Sequence, residues 1–195
     1  VWIKERTSTS SHILADTERG VTKYLVSDTT AAEATHSSTV SAFNSNGFTQ
    51  GGSGATGQSS QDYVSWTFRK QPKFFDVVTY SGNGTAGRTV SHNLGTTVAM
   101  LIIKCTSHTS DWSVFHRSVG NDKYLAVNET HSAQTDTARF HSTTPSSTTF
   151  TLGSGNAVNG SGRTYVAYLF AHNNSDGGFG EPGDPDIITG GSYTG

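Results

Sequence analysis

The chain repeats itself at an offset of about 100 residues, and this feature constrains the fold more than any other. An offset of 100 places Ile3-Lys4 on Ile103-Lys104 and Lys23-Tyr24-Leu25 on Lys123-Tyr124-Leu125. The same offset matches Thr9-Ser10 with Thr109-Ser110 and Gly20 with Gly120. From Phe48 onward the offset is 102, and the matches are Phe48-Thr49 with Phe150-Thr151, Gly51 with Gly153, Tyr63-Val64 with Tyr165-Val166 and Phe68 with Phe170. Because many matches fall on apolar and aromatic positions, a biased Ser/Thr composition does not explain them.

The repeat predicts how the chain is divided. Asp186-Ile187-Ile188-Thr189 resembles Asp76-Val77-Val78-Thr79, so the opening strand of the repeat recurs near the end. A stretch rich in Gly, Asp and Pro precedes that recurrence and is typical of a linker. The predicted segments are a partial first β-sandwich repeat at 1–73, a complete second repeat at 74–173, a linker at 174–185 and the opening strand of a third repeat at 186–195.

Two interpretations of the incomplete ends stay open at this stage. In the first, the chain is an excerpt from a longer tandem array, since it opens within an apolar pattern at Val1-Trp2-Ile3. In the second, the strand at 186–195 fills the opening-strand position of the first repeat, within the chain or in a neighbouring copy. Head-to-tail strand exchange between copies builds filaments.

Short strand candidates separated by Gly, Asn, Ser and Thr recur along the complete repeat. They predict an all-β fold of tandem β-sandwich or jelly-roll-like modules of about 100 residues each. One helical turn is expected at Asp28–Thr35. The strand candidates are Phe74–Tyr80, Arg88–His92, Val98–Lys104, Trp112–His116, Lys123–Asn128, Thr137–Ser142, Thr148–Leu152 and Thr164–Ala171.

The last strand alternates most clearly, with Val166, Tyr168 and Phe170 on one face. Val64, Trp66 and Phe68 take the same places in the first repeat, so this bulky face is predicted to be core. The opposite face, with Ala167 and Leu169, is expected to be less constrained. Trp2, Trp66 and Trp112 are expected to pack in the core rather than to stack on sugars.

The sequence offers no pattern of catalytic or metal-binding residues. Asp16 and Arg19 predict a loop ion pair or turn cap, and the single cysteine, Cys105, predicts a half-buried strand residue. The stretch Asp176–Asp186 could bind calcium but is more typical of an acidic linker. The loop Gly51–Gly57 lacks the lysine and helix of a phosphate-binding loop. The histidines, none at metal-ligand spacing, are His12, His36, His92, His108, His116, His131, His141 and His172.

We therefore expect no catalytic, cofactor-binding or metal-binding residues, and no enzymatic activity. The formal net charge of −2 gives no electrostatic reason for nucleic-acid binding. The sequence contains no run of 18 apolar residues, so we expect no membrane insertion.

Several motifs together resemble a known kind of protein. They are Phe74-Phe-Asp-Val-Val-Thr-Tyr80-Ser-Gly, Ser91-His-Asn-Leu-Gly95, Leu101-Ile-Ile-Lys104, Trp112-Ser-Val-Phe-His-Arg117-Ser and Tyr165-Val-Ala-Tyr-Leu-Phe-Ala171 in the second repeat, with Trp2-Ile-Lys-Glu-Arg6, Arg19-Gly20, Ala32-Glu33-Ala34-Thr35, Phe43-Asn-Ser-Asn-Gly-Phe48 and Tyr63-Val-Ser-Trp66 in the first. These motifs resemble a module of tandem-repeat virion structural proteins of marine tailed phages. They are strand and turn motifs, so they indicate a family without indicating a site.

The resemblance implies a tail, tail-fibre or surface-decoration component located in the virion. Its implied partners are copies of itself and other virion proteins, with a host-surface glycan or receptor as a further partner. The competing hypothesis is a carbohydrate-binding or lectin-like adhesion module of a secreted or cell-surface protein. A glycan-degrading enzyme is the third class, but the sequence offers no convincing acidic pair for it.

Overall fold

The structure is a computed structural model that describes residues 1–52, 54–172 and 191–193. Over these residues the chain is all-β apart from one short helix. The predicted linker at 174–185 and most of the predicted strand at 186–195 lie outside the described residues. The elements are β1 (Trp2–Glu5), β2 (Ile13–Leu14), β3 (Lys23–Val26), β4 (Ala34–Thr35), β5 (Val40–Asn44), β6 (Gly47–Gln50), β7 (Tyr63–Trp66), β8 (Phe75–Ser81), β9 (Arg88–Ser91), β10 (Val98–Cys105), β11 (Ser113–His116), β12 (Gly120–Ala126), β13 (Gln134–Thr135), α1 (Thr137–Phe140), β14 (Thr149–Leu152) and β15 (Thr164–Ala171).

The strands form two main antiparallel sheets and two ribbons. Sheet 1 has five strands in the order β4-β3-β2-β1-β7. Sheet 2 has six strands in the order β13-β12-β11-β10-β15-β8. The ribbons are the hairpin β5–β6 and the pair β9–β14. Sheet 2 therefore contains one strand, β8, that has no counterpart in sheet 1 among the described residues.

The two sheets match in register as well as in strand order. Trp2 pairs with Leu14 across one ladder of sheet 1, and Ile102 pairs with Val114 in sheet 2. All ten ladder pairs of sheet 1 have a counterpart in sheet 2 at offsets of 100 or 102. A one-residue slip would turn every side chain to the opposite face, so the shared register gives both sheets the same distribution of faces.

Two glycine positions that match at the repeat offset have physical reasons to be glycine. Gly20 and Gly120 have φ angles of +92° and +103°, a backbone conformation that side chains disfavour. A Cβ on Gly51 would lie 2.4 Å from the Cα of Ser38. A Cβ on Gly153 would lie 2.3 Å from the carbonyl of Ala138, which is the residue at the equivalent place.

The side chains form three clusters in consecutive layers. One face of sheet 1, with Ile3 and Ala15, packs against the hairpin β5–β6 through Val40. One face of sheet 2 packs against the ribbon β9–β14 and helix α1. The remaining faces of the two sheets pack against each other through a third cluster that includes Leu25 and Trp112. The fold thus has sheet 1 and sheet 2 as its central layers and the ribbons outside.

The predicted faces of β15 need correction. Val166 and Tyr168 are buried as expected, but they lie between the two sheets. Ala167 and Leu169, expected on a less constrained face, are fully buried in the core under β9–β14. The error arose because both faces of β15 are apolar, and alternation alone does not show which layer covers each face.

Most of the predicted strands of the second repeat occur, with ends shifted by up to three residues. The strand predicted at Thr137–Ser142 is wrong, because α1 occupies this segment. The carboxylate of Asp136 accepts a hydrogen bond from the Ala138 backbone N–H and caps the helix. His141, with a φ angle of +53°, ends it. The helical turn predicted at Asp28–Thr35 is also wrong, since this segment has no helix and ends in β4.

Candidate functional site

An apolar cleft is lined by side chains from both sheets and from the hairpin β5–β6. Its volume is about 740 Å³, within the range of small-ligand sites. Three phenylalanines form the centre of its floor, with ring centroids 4.9 Å apart for Phe75 and Phe170 and 5.2 Å apart for Phe68 and Phe170. Other lining side chains include Leu14 and Ile102 from the facing sheets. Both halves of the chain therefore contribute to this site.

A buried polar network borders the cleft, since two of its members, Asp16 and Tyr168, line it. The hydroxyl of Tyr168 donates to Asp16 Oδ2 at 2.7 Å, and Arg19 Nε donates to the same oxygen at 2.7 Å. Arg19 also donates to Glu33 Oε2 at 3.2 Å and to the Leu14 carbonyl at 3.0 Å. The predicted ion pair of Asp16 and Arg19 is confirmed, and it forms part of a network that joins the two sheets.

The network favours a charged arginine and a neutral tyrosine. Burial raises the pKa of Tyr168 well above its ordinary value. The Arg19 guanidinium acts in the opposite direction, and the Asp16 carboxylate counters it, so the pKa stays raised. Burial alone would lower the pKa of Arg19, but Tyr168, Asp16 and Glu33 outweigh it and the pKa of Arg19 is raised. Removing one partner from such a buried pair leaves an uncompensated charge, so the loss of any one of these side chains is expected to lower the free energy of unfolding.

Trp2 lines the cleft, and a second tryptophan, Trp66, lies beside it. Trp2 and Trp66 lie with ring centroids 6.1 Å apart in an edge-to-face arrangement. Trp66 is 49% exposed, so the prediction that it packs in the core is wrong. Trp2 is half-buried, and its indole Nε1 is buried without a hydrogen-bond partner among the described residues. Trp112, which is 1% exposed, is confirmed as a core residue.

A charged group borders the cleft on the side of β8. Lys70 Nζ lies 2.8 Å from Glu18 Oε1 and 3.3 Å from Asp76 Oδ1. Burial lowers the pKa of Lys70, but the two carboxylates outweigh it and the pKa is raised. This lysine therefore bridges the two acids and keeps a positive charge at the rim.

A buried lysine, which the sequence analysis did not single out, links the sheets on the opposite side. Lys104 has no exposed surface, and its Nζ donates to the Thr30 carbonyl at 2.8 Å and to the Ser110 carbonyl. Burial lowers the pKa of Lys104 to about 8. The indole N–H of Trp112 donates to the Val26 carbonyl at 3.1 Å. These bonds fix the loop after β3 onto sheet 2. The sequence signal that could have identified Lys104 is a lysine within an otherwise apolar strand.

The remaining sequence candidates do not form a chemical site. No group of three or more His, Cys, Asp or Glu side chains that could hold a metal ion occurs within the described ranges. Cys105, predicted to be half-buried, is fully buried. The loop Gly51–Gly57, apart from Ser53, contains turns and no helix. The stretch Asp176–Asp186 lies outside the described residues. In the part of the chain that the structure describes, no helix is long and apolar enough to cross a membrane.

The comparisons with known proteins give one match. A family model described as DUF7483, a domain of unknown function, matches residues 1–183. The chain belongs to the DUF7483 family. No curated protein and no solved structure matches it. The DUF7483 match spans sheet 1, sheet 2 and the cleft between them, so the family region includes every element of the candidate site.

Proposed function

We propose that this DUF7483 chain is a non-enzymatic structural component of a tailed-phage virion, in the tail, a fibre or the surface decoration. Its location is the virion, and its partners are copies of itself and other virion proteins. The support is the resemblance of its strand and turn motifs to tandem-repeat virion proteins, together with an all-β fold whose two sheets match in strand order and register.

The proposal treats the molecule as two copies of one β-sandwich module of about 100 residues. Sheet 1 with the hairpin β5–β6 is one copy, and sheet 2 with the ribbon β9–β14 is the other. The observation that supports this division best is that all ten ladder pairs of sheet 1 recur in sheet 2. Two sheets of a domain without internal duplication are not expected to share both their strand order and their ladder register.

A structural role also requires that the two modules keep a fixed geometry. The contacts between the sheets supply this, since the network of Asp16, Arg19 and Tyr168 lies on one side and Lys104 and Trp112 on the other. Buried hydrogen bonds to charged groups are directional, and each contributes about 1.5–3 kcal/mol. The two modules therefore form a rigid block that an assembly can repeat with constant spacing.

Particle composition tests the structural role. Antibodies against this chain, bound to purified particles of the phage that encodes it, are expected to label intact virions in many places. Quantitative mass spectrometry of the same particles should count many copies per virion. An antibody against a phage protein made only during infection is the control. Finding the chain in infected cells but not in washed particles overturns the proposal.

A second candidate function, glycan binding, rests on the exposed Trp66, which lies beside Trp2. Trp66 is 49% exposed beside Trp2, and exposed aromatic rings stack on the apolar faces of sugars. Such binding fits both host-surface attachment by a virion and an adhesion module of a secreted or cell-surface protein.

A glycan array tests this second candidate with a matched pair of variants. Trp66→Ala removes the exposed ring beside Trp2, whereas Tyr193→Ala removes a different ring, which is 95% exposed. Glycan binding predicts signals that Trp66→Ala abolishes and Tyr193→Ala keeps. Absence of binding by the wild-type chain at high concentration rejects the candidate and leaves the structural role untouched.

A further inference from the structure

The apolar cleft contains hydrophobic side chains that the fold leaves only partly covered. Leu14, Phe68, Ile102 and Phe170 line it and are partly buried, although each packs against the cluster between the two sheets. Removing apolar surface of this kind from water is favourable. The cleft therefore favours a ligand with an apolar body, and its volume of about 740 Å³ is that of a small-molecule site.

The charged side chains of the lining are balanced except at one residue. Among the described lining residues the one acid is Asp16, and Arg19 Nε lies 2.7 Å from its Oδ2. Lys70 Nζ lies 2.8 Å and 3.3 Å from two carboxylate oxygens. Arg69 lines the cleft and is exposed, and its side chain makes no hydrogen bond or ion pair with any described residue. The lining side chains therefore carry one uncompensated positive charge.

We propose that the cleft binds a free amphipathic carboxylate of the medium-chain fatty acid class, with its apolar chain against the phenylalanine rings and its carboxylate at Arg69. A guanidinium pairs with a carboxylate through two parallel hydrogen bonds. A lone guanidinium beside an apolar cleft selects a ligand that has both an apolar body and an anionic group. Trp66, on which the glycan candidate rests, is not one of the lining residues. This inference is independent of that candidate and of the proposed virion role.

Calorimetric titration of the full chain with decanoate, below its micelle concentration, tests the ligand class. Decanol has the same apolar chain without the charge, so the comparison isolates the carboxylate. At low salt we expect decanoate to bind about three- to fivefold more tightly than decanol, the range of an exposed ion pair. Octanoate should bind about tenfold more weakly than decanoate, because two fewer CH₂ groups leave water. No binding of decanoate, equal affinity for decanol or equal affinity for octanoate overturns the proposal.

Two arginine substitutions test where the carboxylate binds. Arg69→Gln removes the unpaired guanidinium of the lining, whereas Arg117→Gln removes an exposed guanidinium outside it. We expect Arg69→Gln to bind decanoate and decanol equally, and Arg117→Gln to keep the preference of the wild type for decanoate. If Arg69→Gln keeps this preference, Arg69 does not hold the carboxylate and the proposal is overturned.

Two valines of similar exposure test where the apolar chain binds. Val127 is 40% exposed and lines the cleft, whereas Val21 is 43% exposed and does not. Val127→Asp adds a charge to the apolar lining and should weaken binding of decanoate and decanol by about tenfold or more. Val21→Asp should leave both affinities unchanged. Equal affinities in the two variants overturn the assignment of the ligand to the cleft.

Two further results would identify a different occupant. A dimer in analytical ultracentrifugation that decanoate dissociates shows that a second copy of the chain fills the cleft. Binding to phosphatidylglycerol vesicles, without binding to free decanoate, shows that a membrane lipid is the ligand. Either result overturns the proposal.

Discussion

The contact between the two sheets can be tested by one substitution that shortens a side chain, Leu25→Ala. This residue in β3 has no exposed surface and packs between the sheets against Trp112 and neighbouring aromatic rings. Leu→Ala at a fully buried site costs about 2–5 kcal/mol, from lost transfer free energy and the cavity that remains. Rings held by both sheets cannot easily collapse into that cavity, so we expect Leu25→Ala to lower the free energy of unfolding by about 3 kcal/mol.

Leu125 provides a matched control at the equivalent position. It lies in β12 and pairs with Val114, as Leu25 pairs with Leu14. Leu125 is partly exposed and belongs to none of the three buried clusters. Because less of its side chain leaves water on folding, we expect Leu125→Ala to cost about 1 kcal/mol.

The free energy of unfolding of both variants is measured by urea titration, with tryptophan fluorescence as the signal. A loss of about 3 kcal/mol should lower the Tm of a chain this size by about 6–12 °C. The wild-type chain and both variants should share one m value, so that midpoints can be compared directly. If Leu25→Ala costs no more than Leu125→Ala, the packing between the sheets contributes little to stability, and the two sheets do not form one rigid block.

Three further changes probe the polar contacts and the close backbone approaches. Tyr168→Phe removes the hydroxyl that donates to buried Asp16 and should cost about 1.5–3 kcal/mol in urea unfolding. Burial lowers the pKa of Lys104 from 10.5 to about 8, so between these values the unfolded chain binds more protons than the folded chain. The stability of the wild type relative to Lys104→Met should therefore rise from pH 8 to about pH 10, as measured by urea titrations, and a flat difference contradicts this. Gly153→Ala forces a Cβ against backbone and should cost about 1–3 kcal/mol, whereas Gly191→Ala meets open space and should be silent in thermal melts.

The sequence was sufficient to predict the β class and the equivalence of particular positions. The repeat matches Gly51 with Gly153 at an offset of 102, and it matches the backbone segments that approach them, around Ser38 and Ala138, at an offset of 100. Such glycines are restricted by their immediate surroundings, so both copies keep them. The offset cannot indicate where one sheet meets the other, because that contact depends on long-range packing.

Trp66 and Tyr168 illustrate this limit. They occupy equivalent positions in β7 and β15, yet Trp66 is 49% exposed and Tyr168 is 6% exposed. The difference follows from β8, which pairs with β15, whereas among the described residues no strand pairs with the outer side of β7. No local sequence pattern around Trp66 indicates this difference. Lys104 was missed for a related reason, since the carbonyl of Thr30 that it binds is distant in sequence.

The way the two sheets meet limits how this chain can assemble. Leu25 in sheet 1 and Tyr168 in sheet 2 lie on equivalent faces, so each sheet presents the same face to the other. A contact made by the same face on both partners closes on itself and leaves no free copy of that face to extend an array. The contact is also asymmetric in detail, because Trp112 anchors the loop after β3 while His12 occupies its place in sheet 1. A larger assembly must therefore grow through the outer layers, and substitutions there should alter assembly while leaving the block folded.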